Sequence, residues 1–178
     1  MIINVNNSII LVHQIVVFGQ IRKSASQCNK KKPNLFDGLM RRLSEGDGQE
    51  GQLKRLQQAI SLYQGDLLED CYADWAVLYR QRLRERYLKA LNELIGQLMD
   101  RRQYSQAIQV LHRGLEVDDL RESFHRQLTR VCAMSGRRSQ AIVQYQRCAE
   151  ILQRELGSDP SPETTALYQR ILDGLPLD

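Results

Sequence analysis

The chain has 178 residues, of which 42% are hydrophobic, 26% charged and 6% aromatic, with a formal net charge of +4. That length suits one domain and a tail, and so few aromatics favour stacked helices with a Leu, Ile, Val and Ala core over a β-sandwich. The positive charge is uneven: residues 1–42 hold seven Lys/Arg and one acid, while the other 136 hold 18 basic and 20 acidic side chains, so the body has no overall field to attract phosphate.

Residues 1–18 are rich in β-branched side chains and favour extended structure. The run Ile9–Phe18 is too short to span a bilayer, and no Lys or Arg precedes it as in a signal peptide. Residues 19–34, with Lys30, Lys31, Lys32 and Pro33, read as a solvated linker, and 35–43 as a short helix. Gly46, Gly48 and Gly51 then break the chain. The expected division is an extended or irregular basic segment over 1–45 and a helical domain over 46–178. Leu53, Leu56, Ile60 and Tyr63 recur at helical steps, and Gly65 ends that helix. Asp74 is placed to cap the next helix, with Trp75 in its first turn. Leu83, Tyr87, Leu91, Leu94 and Leu98 form one apolar stripe, with Arg80, Arg82, Arg84, Arg86 and Lys89 mostly off it. Further helices are expected over about 103–117, 119–135, 138–156 and 163–173, separated by Gly136 and by Gly157-Ser158-Asp159-Pro160.

The most informative feature is a self-match. Ser105-Gln106-Ala107-Ile108 recurs as Ser139-Gln140-Ala141-Ile142, an offset of 34 residues, which is the tetratricopeptide period. Leu94 pairs with Leu128 at the same offset, and Leu111 with Tyr145. Ala107 and Ala141 are small enough for the two helices of each pair to approach closely. Stacked pairs bury a continuous core that one pair cannot. The expected fold class is therefore all-α, an antiparallel helical repeat array.

Several motifs point further. Leu62-Tyr63-Gln64-Gly65-Asp66-Leu67-Leu68 resembles the opening of the bacterial transcriptional activator domain of antibiotic-regulatory activators. Trp75 with Arg80, Leu83 and Tyr87 continues the pattern. So do Ala107-Ile108, Glu122 to Arg126, Gly136 with Ala141 and Tyr145, Glu155-Leu156-Gly157, and Pro160 to Thr164 with Leu167-Tyr168. The resemblance covers about two-thirds of the chain. It implies a tetratricopeptide-like domain that usually follows a winged-helix DNA-binding domain and supports dimer formation, effector response or contact with the transcription machinery. Asp118-Asp119 stands where the family commonly has Asp-Pro, and Asp119 is expected at the first helical position. Residues 1–34 show no recognition-helix pattern.

No nucleophile motif or phosphate loop accompanies His13, His112 or His125, so neither catalysis nor a cofactor is expected. Cys28, Cys71, Cys132 and Cys148 lack metal-ligand spacing and read as reduced thiols of a cytoplasmic protein. Tyr63 and Trp75 read as core anchors, and a buried Trp75 would be worth about 3–5 kcal/mol. By resemblance to the tetratricopeptide register, Lys89, Asn92 and Met99 line the concave face in the first repeat, and Ser123, Arg126 and Arg130 in the second. Arginine forks there suit an acidic or C-terminal peptide segment; the alternative is that they pair with Glu122 or other local acids. The partner would be another regulator, RNA polymerase or a second copy forming a homodimer, with DNA engaged only indirectly or weakly and no membrane. The competing expectations are a DNA-binding activator using residues 1–45, and a fragment of a larger regulator.

Overall fold

The computed structural model describes residues 56–57, 60–61, 63 and 72–177. The expectations for residues 1–51, for Gly65 and Asp66, and for Cys28 and Cys71 fall outside these residues. Five long helices follow in order among them: α1 (Asp74–Asp100), α2 (Tyr104–Val117), α3 (Glu122–Met134), α4 (Arg138–Leu156) and α5 (Pro162–Leu172). No strand occurs among the described residues. The fold is all-α and tetratricopeptide-like, and its chain divides into two compact units, Met1–Tyr87 and Leu88–Asp178.

In the first unit, residues 56–57 and 60–61 are helical and Ile60 is buried. The half-buried Tyr63 ring stacks on Tyr87, with centroids 4.1 Å apart and an 18° interplanar angle. Trp75 is half-buried rather than enclosed, so its truncation should cost less than a fully buried tryptophan would. Asp74 lies inside the first turn of α1 and not before it, where its charge still favours the helix N-terminus. The stripe Leu83, Tyr87, Leu91, Leu94 and Leu98 is buried along its length, as its three- and four-residue steps require.

The second unit shows the repeat directly. The Arg102 N–H donates to the Met99 carbonyl (2.9 Å) and the Gln103 N–H to the Leu98 carbonyl (2.8 Å). Thirty-four residues on, Gly136 donates to Ala133 (3.0 Å) and Arg137 to Cys132 (2.8 Å). Ala107 and Ala141 are both fully buried. The central turn residues are left-handed in both copies, with φ of 58° at Arg102 and 78° at Gly136. Gly136 adopts that geometry freely, whereas an L-residue with a Cβ loses roughly 1–2 kcal/mol there. At the next register position the copies diverge: Leu111 is fully buried, while the half-buried Tyr145 stacks on Tyr168 at 3.9 Å.

Helix α3 lies against α2, α4 and α5, and α5 also touches α4. Phe124 of α3 fits over Gly114 of α2, where a Cβ would stand 2.1 Å from the ring. Both residues are buried. The helix starts one turn later than the sequence suggests. Asp118 and Arg121 form an ion pair at 2.9 Å across the 118–121 turn. Asp119 therefore sits in that turn, not at the first helical position: its carbonyl accepts from the His125 ring, a tertiary bond invisible to local propensity. Gly157, at φ 62°, ends α4, and Pro162 opens α5, where its missing N–H is harmless.

Two substitutions check these assignments. Gly114→Ala gains helix propensity but forces the Phe124 ring from its seat, and should lower stability by about 1–2 kcal/mol net. Arg102→Gly removes the left-handed strain and should stabilise by about 1 kcal/mol, raising Tm by a few degrees. Thermal unfolding followed by circular dichroism reads both.

Candidate functional site

Of the six residues expected to line a concave face, three lie on α1 and three on α3. Ser123, Arg126 and Arg130 lie at three- and four-residue steps on α3 and so share one side. Lys89 and Asn92 are exposed on α1, and Met99 is half-buried further along it. The Gln127 side-chain amide donates to the Asn92 carbonyl oxygen at 2.8 Å, which ties α3 to α1. Ser123 and Arg126 are half-buried and Arg130 is exposed.

The α3–α5 seam is where polar chemistry concentrates. One oxygen of Glu122 accepts from the Ser161 backbone N–H (2.9 Å), the Ser161 hydroxyl (2.5 Å) and the Thr164 hydroxyl (2.5 Å). Ser161 is the N-cap residue immediately before α5. The carboxylate of one helix thus holds the N-cap residue of another by its backbone N–H and its hydroxyl. Arg126 donates to the same two hydroxyls at 3.3 Å each. Burial pulls the Glu122 carboxyl upward, but the Ser161 and Thr164 hydrogen bonds, together with the Arg126 charge, hold it below its ordinary value. Arg126 is therefore engaged through hydroxyls that Glu122 already holds, which is close to the local-pairing alternative considered from sequence.

On an adjoining face of α3, His125 is buried. Its Nε2 lies 2.8 Å from the Asp119 carbonyl, and its Nδ1 lies 2.7 Å from the Gln144 amide nitrogen. In this arrangement Nε2–H donates, Nδ1 accepts, and the ring is neutral. Burial lowers its pKa, outweighing the Asp119 carbonyl bond that would raise it. Cys132 and Cys148 are free and buried. Burial raises both thiols, Cys148 to about 11, so the reactive thiolate is suppressed. No group of three or more potential metal ligands occurs among the described residues.

Sequence reasoning named Arg126 but missed its hydroxyl partners, the clamp by Glu122 and the Gln127–Asn92 link. It also passed over Gly114, although a glycine inside a helical pattern is a signal of close approach. Of the proposed signature positions, Ala107 and Ala141 are fully buried, Tyr145 is in a ring stack and Gly157 at a helix end, with Tyr63 stacked and Trp75 half-buried.

An array of this kind defines a helical-repeat domain, and comparison with known proteins places it. Residues 35–172 match the bacterial transcriptional activator domain, and the chain belongs to that family of transcription regulators. It is 31% identical over 121 residues to the regulatory protein AfsR of Streptomyces coelicolor, covering 68% of this chain and 12% of AfsR. It is 28% identical over 117 residues to AfsR of Streptomyces griseus, covering 66% and 12%. The structure resembles Mycobacterium tuberculosis EmbR, solved in complex with a low affinity phosphopeptide, with a TM-score of 0.64 and 28% identity over 72% of this chain and 34% of EmbR. The chain thus spans about an eighth of the length of its AfsR relatives. Among the described residues no helix is long and apolar enough to cross a membrane.

The polar seams give acid sensitivity a definite sign. His125 titrates below its ordinary value of 6.5 in the fold, so its contribution is complete above that pH and lost as pH falls through the lower folded value. Glu122, also lowered, adds a second loss below about 4.5. Thermal unfolding between pH 7 and about 3 should show Tm falling in two stages, the first shallower in His125→Asn. At pH 7, Glu122→Ala should cost about 2 kcal/mol by removing the acceptor shared by one N–H and two hydroxyls.

Proposed function

We propose that this domain is a non-catalytic protein–protein interaction or dimerisation module of a bacterial transcription regulator, working in the cytoplasm. The observation that carries this reading is the tetratricopeptide-like array itself, in a chain of the transcriptional activator domain family. Such arrays expose extended helix faces that bind other proteins. The face we assign to the partner comprises Lys89, Asn92, Met99, Ser123, Arg126 and Arg130. Exposed Lys89 and Arg130 supply the charge, Met99 supplies adaptable apolar contact, and the Asn92–Gln127 and Arg126–Ser161 bonds hold the helices in register. The partner is another regulator, RNA polymerase or a second copy of this chain. The phosphopeptide complex of EmbR is in keeping with peptide engagement by a regulator of this kind. The helical domain is taken to run over 46–178, with 1–45 as a basic segment. The charge of that segment favours one second reading, weak DNA binding by residues 1–45, in this chain or in a larger regulator that contains it.

The test is affinity capture from nuclease-treated host lysate with mass spectrometry, alongside sedimentation of the purified chain. Recovery of a regulator or RNA polymerase subunits, or a dimer in sedimentation, is the expected result. Lys89→Glu with Arg130→Glu, still helical by circular dichroism, should weaken that association at least tenfold. A wild type that captures nothing specific and sediments as a monomer defeats the reading. DNA binding that falls steeply as salt rises would select the second one.

A further inference from the structure

At the end of the array where α1 turns into α2 and α3 into α4, the two turns enclose an open cleft of about 510 Å³. Its walls include Arg102, Gln103, Ser105 and Gln106 from the first repeat, and Ser135 and Arg137 from the second. The two arginines are exposed, and neither forms an ion pair among the described residues. This contrasts with Arg126, whose guanidinium is occupied by Ser161 and Thr164.

The repeat supplies a second, independent observation. The turn of the second copy places Gly136 at the left-handed position, and the first copy places Arg102 there with the same hydrogen bonds. A glycine would relieve the strain. The arginine instead adds a cationic side chain to the lining of a cleft that Arg137 also lines, and strained non-glycine residues of this kind cluster at ligand-binding positions.

We infer that this cleft is a binding site for carboxylate side chains, and that its occupant is a short Asp/Glu-rich segment of a protein partner. Guanidinium groups grip carboxylates with paired hydrogen bonds, and the Gln103, Gln106 and Ser105 side chains provide further donors around them, whereas the Ser135 hydroxyl donates to the Cys132 carbonyl. The unit Leu88–Asp178 carries twelve Lys/Arg and twelve Asp/Glu. A local positive cleft on a neutral body suits a short acidic segment better than a long nucleic-acid backbone, which needs an extended basic track. None of the six residues assigned to the partner face lines this cleft, and the inference rests on the proposal that the domain binds protein.

The test is a titration of the full ¹⁵N-labelled chain with an acetylated hexaglutamate peptide, read by amide chemical shifts. Saturable shifts confined to residues 102–106 and 134–137 are expected. Arg102→Gly should weaken the peptide at least fivefold while raising Tm, which separates lost binding from lost folding. Arg137→Ala should do the same without the gain in Tm, and Arg113→Ala, on the exposed face of α2, should change nothing. Absent shifts at millimolar peptide, shifts spread over the surface, or unchanged affinity in Arg102→Gly with Arg137→Ala would each overturn the inference. So would tighter binding at this cleft by an oligothymidylate of equal charge. If the peptide fails while Lys89→Glu with Arg130→Glu still abolishes partner capture, the acidic-segment site falls and the interaction-module reading stands.

Discussion

The seat of Phe124 on Gly114 sets the geometry of the second unit. The Phe124 ring comes so near the α2 backbone that a Cβ at this position would stand 2.1 Å from it, and Gly114 provides the gap. This contact brings α3 close to α2, and α3 is the helix that also meets α4 and α5. The buried Leu128, Val131 and Cys132 extend the same helix into a continuous apolar core. Interiors packed at crystal-like density transmit such a constraint rather than absorb it. A glycine inside a helix costs propensity, and the structure shows what that cost secures.

Around this apolar contact, two polar seams fix α3 in rotation and register. Glu122 and Arg126 tie it to the first turn of α5, and His125 with Gln144 ties it to α4. Buried polar bonds of this kind add modest net stability when complete and are costly when one partner is lost. They make the array specific rather than merely compact. They also direct its pH response, since both the imidazole and the carboxylate must change state as acid is added. Cys148, raised by burial and by the Glu122 charge beside it, belongs to the same environment and is kept as an inert thiol.

Functional character follows from how the arginines are divided. Some are consumed by the fold, as Arg121 is by Asp118 and Arg126 by the α3–α5 seam. Others, including Arg102 and Arg137, reach solvent at the turns. Counting basic residues does not separate the two groups, because both contribute equally to net charge. Substitutions at the turns and outer faces would therefore change the exposed charge of the array while leaving the seams intact.

The sequence by itself determined the helical class, the 34-residue repeat, the small residues at Ala107 and Ala141, the end of α4 at Gly157 and most of the helix spans. Each is a local or periodic property: side-chain spacing reports which face of a helix is buried, and glycine reports where the backbone turns. The resemblance to the transcriptional activator domain was legible for the same reason, being carried by short motifs strung along the chain. Asp119 and Trp75 were read less well. The start of α3 depends on a bond from His125 that propensity does not include, and the burial of a tryptophan depends on what covers it. Only the tertiary structure decided that Glu122 would meet Ser161 and Thr164, some 39 and 42 residues away, and that a ring would fill the space above Gly114. Periodicity says that a face is covered, but it carries no information about which atoms lie opposite, and hydrogen bonds and steric fit depend on those atoms.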